Sequence, residues 1–411
     1  MDGWLGLLRS GDWLTRERLR LWPLCVLGAS SIGVIYVIVT SDGLIDFQGR
    51  PLGSDFSNVY AAGTYVLEGR AAAPFDWPSQ FAREQAIFGA STQFYGWHYP
   101  PFFLFVAGVL ALMPYQLALV VWQAVTLALY LFAVHAILKS SPSPAKSQAG
   151  DKTWILLALA FPAVLVNVGH GHNGFLSAAL IGGALAALDQ RPVVAGILFG
   201  LVSYKPQFGV LIPIALMAGG RWRTFFAATA TVAALIIVTT LVFGADVWRA
   251  FFASMHLTRV EILEAGGTGW HKIQSVFAWV RMWGGGVPLA YIAQGTVVLA
   301  AAGALVWLWR SPAAFPLKAA ALAIGAILAT PYSLDYDMMV LAPAIAYLAA
   351  DGMTRGFIAW EKSALALIWF VPLFARALAQ YTFIPLGVWT MLAVFVLVLR
   401  RARADAATAA R

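Results

Sequence analysis

The stretch WPLCVLGASSIGVIYVIVT, residues 22–40, contains no charged side chain. A helix needs about 20 apolar residues to cross the hydrocarbon core of a bilayer, and this run has that length. Arg9, Arg16, Arg18 and Arg20 precede it, as in a secretory leader. No small-residue cleavage site follows, so the run reads as an uncleaved first helix. Comparable runs lie at 116–138, 153–168, 174–188, 192–204, 206–219, 222–243, 287–309, 317–331, 338–350, 362–379 and 384–400. The pattern predicts an all-α polytopic integral membrane protein with about 12–13 transmembrane helices in a single domain, 1–411.

Composition agrees. Of 411 residues 61% are hydrophobic and 11% charged, with mean hydropathy +0.76. Soluble domains carry about 25% charged residues, so this chain lacks the means to cover itself in water. Its 17 Trp suit the membrane–water interface, where an apolar ring and a polar N–H are both satisfied. The net charge of +8 has a topological explanation in the excess of Lys and Arg on cytoplasmic segments. No basic run with interleaved aromatics forms a nucleic-acid surface.

Orientation follows from the same rule. With the N-terminus inside, most of the 27 Lys and Arg fall on inside segments, among them Arg9 to Arg20, Lys139, Lys152, Arg221, Arg310, Lys362 and Arg400. Pro101 to Met113 is apolar but too short to cross, and reads as a re-entrant or interfacial half-helix. The Ser-, Pro- and Lys-rich segment 140–152 reads as a flexible cytoplasmic linker. Two long extracytoplasmic loops are expected, 42–100 and 245–283, the first with an amphipathic interfacial helix from Pro78 to Phe88. The single cysteine, Cys25, allows no internal disulfide. Without a CxxC or HExxH motif, six scattered histidines make a poor metal site. No cofactor is expected.

Polar chemistry is concentrated on the expected outer face. Gly53-Ser54-Asp55-Phe56 with Tyr60 follows the first span; a carboxylate there can serve as a base or cap a helix. Trp97-His98-Tyr99-Pro100-Pro101 closes that loop. Asn167-Val168-Gly169-His170-Gly171-His172-Asn173-Gly174 lies between two spans. Its glycines let imidazoles and backbone N–H groups approach a ligand, or simply make a turn. Lys205, in Ser203-Tyr204-Lys205-Pro206-Gln207, is a lysine at membrane depth, an expensive placement that marks a functional site unless the side chain snorkels. The segment 245–283, with Gly269-Trp270-His271-Lys272, is placed to cover a site as a mobile loop. Thr330-Pro331-Tyr332-Ser333-Leu334-Asp335-Tyr336-Asp337 ends another span, its carboxylates suited to sugar hydroxyls or to capping.

Taken in order, Gly53-Ser54-Asp55-Phe56 with Tyr60, Tyr99-Pro100-Pro101, Lys205-Pro206-Gln207 and Pro331-Tyr332 with Asp335-Tyr336-Asp337 resemble the bacterial polyprenol-phosphate-mannose-dependent mannosyltransferases, glycosyltransferase family 87. The resemblance implies a GT-C architecture in the bacterial inner membrane. It implies inverting transfer of a sugar, often mannose, from a polyprenyl-phosphate donor to a lipid or glycan acceptor at the extracytoplasmic face. Asp55 matches the family's acidic base. Some relatives place histidines where this chain has Asp335, Tyr336 and Asp337. On this reading Lys205 with His170 or His172 stabilises the departing phosphate. Asp335 and Asp337 orient the sugar, with Tyr60, Tyr99, Gln207, Tyr332 and His271 as further sugar or acceptor contacts. The alternative is a lipid or small-molecule transporter, which predicts broken helices at mid-membrane and repeated halves.

Overall fold

The computed structural model describes residues 2–140 and 152–409, so all but the ends of the expected linker 140–152 lies outside the described residues. Among those residues the regular structure is helical, with only isolated β-bridges such as Ile273 to Leu334. Five helices are long and apolar enough to cross a membrane. They are α2 (Arg18–Val39), α6 (Tyr115–Ser140), α12 (Trp222–Phe243), α15 (Val287–Arg310) and α18 (Glu361–Thr382). At about 1.5 Å per residue, 22 residues span roughly the ~30 Å hydrocarbon core.

Most of the other apolar runs are shorter or broken. The run 153–168 is split into α7 (Thr153–Leu159) and α8 (Pro162–His170), bent by 48°, because Pro162 opens a new helix. The runs 192–204 and 206–219 become α10 (Pro192–Leu201), two short turns, and α11 (Ile212–Ala218). Lys205 sits between those turns at φ −124°, ψ 78°. Pro206 bars its predecessor from helical geometry, so the chain must open at Lys205. α9 (Gly174–Ala187) and α16 (Phe315–Leu328) are 14-residue helices in the packed centre. α16 is deeply enclosed, with Leu317 and Ala319 to Ile324 almost without exposed surface. α17 (Leu341–Arg355) and α19 (Leu386–Ala409) complete the bundle.

Pro101 to Met113 contains a short turn and the 8-residue α5 (Leu104–Ala111), about 12 Å long at 1.5 Å per residue. It packs along α3 (Ser54–Leu67). Gly63 makes that approach possible: a Cβ there would stand 2.1 Å from the Ala107 carbonyl oxygen. The expected interfacial helix is α4 (Trp77–Phe88), capped by Asp76, whose carboxylate accepts from the Ser79 N–H at 3.0 Å.

One end of the bundle is fastened by buried charge. Arg401 on α19 donates to Asp351 on α17 at 2.7 Å and to Glu361 on α18. Arg355 forks onto Asp351 and reaches Asp405 at 2.6 Å. The predicted polar clusters gather at the opposite end.

Candidate functional site

The site is assembled by a contact between two glycines. Gly53 (φ 65°) opens α3 and Gly171 (φ 63°) closes α8. Both backbones are left-handed, which favours glycine. A Cβ on Gly171 would lie 3.1 Å from the Gly53 Cα and 2.7 Å from the Phe56 Cβ. This close approach brings the first turn of α3 against the His170–His172 turn. Asp55 and His170 are thereby 3.9 Å apart, and Ser54 Oγ meets His170 Nδ1 at 2.9 Å. The cap of α3 is Gly53, and Asp55 makes no capping hydrogen bond; its carboxylate is left for other work.

Asp55 opens into a cavity of about 560 Å³. The same cavity is lined by Tyr99, His170, His172, Lys205, Gln207, Tyr332, Asp335 and Asp337, so clusters far apart in sequence share one space. Two predicted site residues lie elsewhere. Tyr60 donates to the Met113 carbonyl at 2.9 Å and packs edge-on against Tyr115, which makes it a strut between α3 and the α5–α6 turn. His271 is half-buried beside the cavity rather than on its wall.

Lys205 is buried, and its Nζ lies 2.5 Å from Asp337 Oδ1. The other Asp337 oxygen accepts from the Leu334 N–H at 3.0 Å. Asp337 therefore caps its own turn and neutralises Lys205. That pairing redirects the expectation that Lys205 meets a phosphate and Asp337 a sugar, because each already has its partner. His172 stacks on Tyr336 with ring centroids 3.5 Å apart. Its Nε2 is 3.4 Å from the Tyr99 hydroxyl, while its buried Nδ1 has no hydrogen-bond partner among the described residues.

The segment 245–283 forms the roof, stitched down at its base rather than free. The Gln274 N–H donates to the Ser333 carbonyl at 2.7 Å, and Ser275 Oγ to the Pro331 carbonyl at 2.7 Å. A π-helical turn, Thr258–Glu264, brings Thr258 to His98, Oγ1 to Nδ1, at 3.0 Å. The roof also delivers Lys272.

Four residues with a part in the site were given no role by the sequence reading. Arg376 lies on α18, within the apolar run 362–379, and lines the cavity 3.5 Å from Asp335. An arginine inside a span was the signal that should have found it. Lys272, quoted but unassigned, lines the same wall and forms no salt bridge among the described residues. Burial and the neighbouring Arg376 guanidinium hold its ammonium below lysine's ordinary pKa. Asn167 pins the histidine turn: it donates to the Tyr336 carbonyl at 2.9 Å and accepts from the Gly174 N–H at 2.8 Å. Glu84, fully buried on α4, accepts from the Tyr95 and Gly96 N–H groups and shapes the rim. Burial pushes its carboxyl up to about 7. Asn167 stood in the quoted histidine cluster without a role, and no local pattern flagged Glu84, since its part in the site depends on the fold.

The Asp55 carboxyl is raised above the ordinary carboxylate pKa, chiefly by burial; His170 opposes the shift and Asp335 adds to it. Among the described residues no cluster of three or more His, Cys, Asp or Glu side chains has the arrangement to hold a metal ion. The arrangement offers a desolvated carboxylate facing a wall with two cations, Lys272 and Arg376. Those are the elements for deprotonating a hydroxyl near a bound anion.

No curated protein and no solved structure matches the chain. The profile of glycosyltransferase family 87 matches residues 97–331, a span that includes His170, His172, Lys205 and Lys272 and leaves Asp55, Asp335 and Arg376 outside. With more than half of its length matched, the chain belongs to glycosyltransferase family 87 and is a membrane glycosyltransferase.

Proposed function

We propose that the protein moves a sugar, mannose in the first instance, from a polyprenyl-phosphate donor to a hydroxyl of a lipid or glycan acceptor, with inversion at the anomeric carbon. The reaction takes place at the extracytoplasmic face of the bacterial inner membrane, the end of the bundle opposite the basic termini. Asp55 takes the acceptor proton as the oxygen attacks the anomeric carbon. The bond from that carbon to the phosphate oxygen breaks, and the electron pair leaves with polyprenyl phosphate. Lys272 and Arg376 receive the phosphate charge. Lys205, fixed and neutralised by Asp337, holds the floor of the site. The observation that carries this reading is the shared cavity: one carboxylate free of caps and strong ion pairs shares it with Lys272, which forms no salt bridge among the described residues, and with Arg376, whose 3.5 Å contact with Asp335 is long and partly exposed. Asp335 offsets part of the positive charge of Arg376 and Lys272, and a bound anion beside Lys272 offsets the rest.

Arg376→Gln tests the phosphate assignment. A charge-assisted hydrogen bond contributes about 1.5–3 kcal/mol, so the KM for the lipid-linked donor should rise roughly 10- to 100-fold. The KM for acceptor should move little, and an unchanged donor KM refutes the assignment. The pH profile tests the base. Asp55 acts ionised, so activity falls as pH drops through its raised pKa, and the acid limb lies above the range of an ordinary carboxylate, about 3.9 for Asp. Glu84→Gln should keep that limb in place, which separates the two carboxylates. A limb at the ordinary position, or one that vanishes with Glu84, argues against Asp55.

A further inference from the structure

A second cavity, a groove of about 390 Å³, runs along α2, α6, α7, α17 and α18. No residue lines both cavities. Its walls are apolar, with Tyr130, Leu157 and Ala346 along its length. The charged residues that line it are Arg18 and Lys362, both cationic. Arg18 begins α2 and Lys362 lies in the first turn of α18, so both charges stand at one end.

Two features fix the depth of that end. The N-terminal helix α1 (Asp2–Ser10) leaves Trp4 83% and Leu5 55% exposed, the face expected of a helix lying in the interfacial layer. It is docked on the start of α18. The Trp360 N–H donates to the Arg9 carbonyl at 2.7 Å, and Ser363 Oγ to the Leu8 carbonyl at 2.6 Å. Trp22 and Trp154 line the groove near the same end, and tryptophan favours headgroup depth. The two cations are therefore level with lipid phosphates, and the apolar walls run from there into the hydrocarbon region. Neither cation is consumed locally. Arg18 spends one N–H on the Trp13 carbonyl at 2.7 Å, leaving the rest of its five donors. Lys362 stands 3.6 Å from Asp12, which is 67% exposed, a pair that water screens.

We propose that this groove binds an anionic phospholipid, its phosphate held between Arg18 and Lys362 and one acyl chain laid along the apolar walls. Two cations with no lining carboxylate select a net negative headgroup over a zwitterionic one. The bound lipid seats α2, which is otherwise loosely packed with 6% of its apolar window buried.

The test reconstitutes the protein in equal phosphatidylglycerol and phosphatidylcholine, extracts it in mild detergent, and counts retained lipid by native mass spectrometry. The wild-type protein should retain phosphatidylglycerol selectively. Arg18→Gln with Lys362→Gln should reduce that selectivity by roughly 30-fold, the effect of losing two interfacial cations. Ala366→Trp fills the groove without changing charge and should abolish retention of the lipid, so the idea stays testable if the double variant folds poorly. Equal retention of the two lipids by the wild type, or undiminished selectivity in either variant, overturns the proposal.

Discussion

Asp55→Asn abolishes sugar transfer and leaves the protein folded. General acid–base catalysis typically contributes about 10²- to 10⁴-fold, and the whole of that contribution is expected to disappear. The amide is nearly isosteric and cannot accept a proton from the acceptor hydroxyl. The fold should not notice, because Asp55 makes no cap and its neighbour His170 stays bonded to Ser54. Removing a half-buried carboxylate whose pKa is raised also removes a desolvation cost, so thermal stability should hold or rise. Donor binding should be nearly unchanged, since the wall of Lys272 and Arg376 is intact. The checks are initial rates with lipid-linked donor, a melting curve, and donor affinity for the variant. Activity within a few-fold of wild type removes Asp55 from the base role.

Lys205→Met destabilises the protein by about 3–5 kcal/mol, the usual cost of breaking a buried ion pair. The ammonium is buried against Asp337 at 2.5 Å, so the substitution strands a buried carboxylate. Replacing both partners avoids that penalty: Lys205→Met with Asp337→Leu should recover much of the stability, less the capping bond that Asp337 gives Leu334. Chemical unfolding in micelles of the single and double variants provides the cycle. If the single variant unfolds like wild type, the pair is not structural and Lys205 returns as a direct ligand for the phosphate. The distinction matters because a Lys205 variant with no activity would otherwise pass for a catalytic mutant.

The helical membrane architecture was legible because hydropathy reports the solvent that a segment meets. The dozen apolar runs correspond to helices, yet among the described residues five are both long and apolar enough to cross a membrane. The runs 153–168 and 192–219 were cut by residues whose effect is local and visible, Pro162 and Pro206. Sequence placed Asp55, His170, His172, Lys205, Asp335 and Asp337 near one another through their common face and their resemblance to a family. It could not reveal that Asp337 is the partner of Lys205, since 132 residues separate them and either acid of the Asp335–Asp337 pair fits equally well. Tyr60 carries the family pattern but serves packing, a distinction that depends on which way a helix turns its face. Arg376 was missed for a different reason: it stands in an apolar run whose average hydropathy conceals it, though a charge there is costly enough to demand a function. Glycine 53 and glycine 171 stood in quoted motifs as turn formers. Their contact with each other, which sets the distance from Asp55 to His170, belongs to the fold alone.

The most direct test incubates the purified protein in vesicles with a panel of polyprenyl-phosphate hexoses and membrane lipid extract, and follows products by mass spectrometry beside the Asp55→Asn protein. A hexose-bearing acceptor formed together with free polyprenyl phosphate, in the wild-type reaction only, is the predicted result. Transfer from a sugar nucleotide in place of the lipid-linked donor, or equal product from the Asp55→Asn protein, would contradict it.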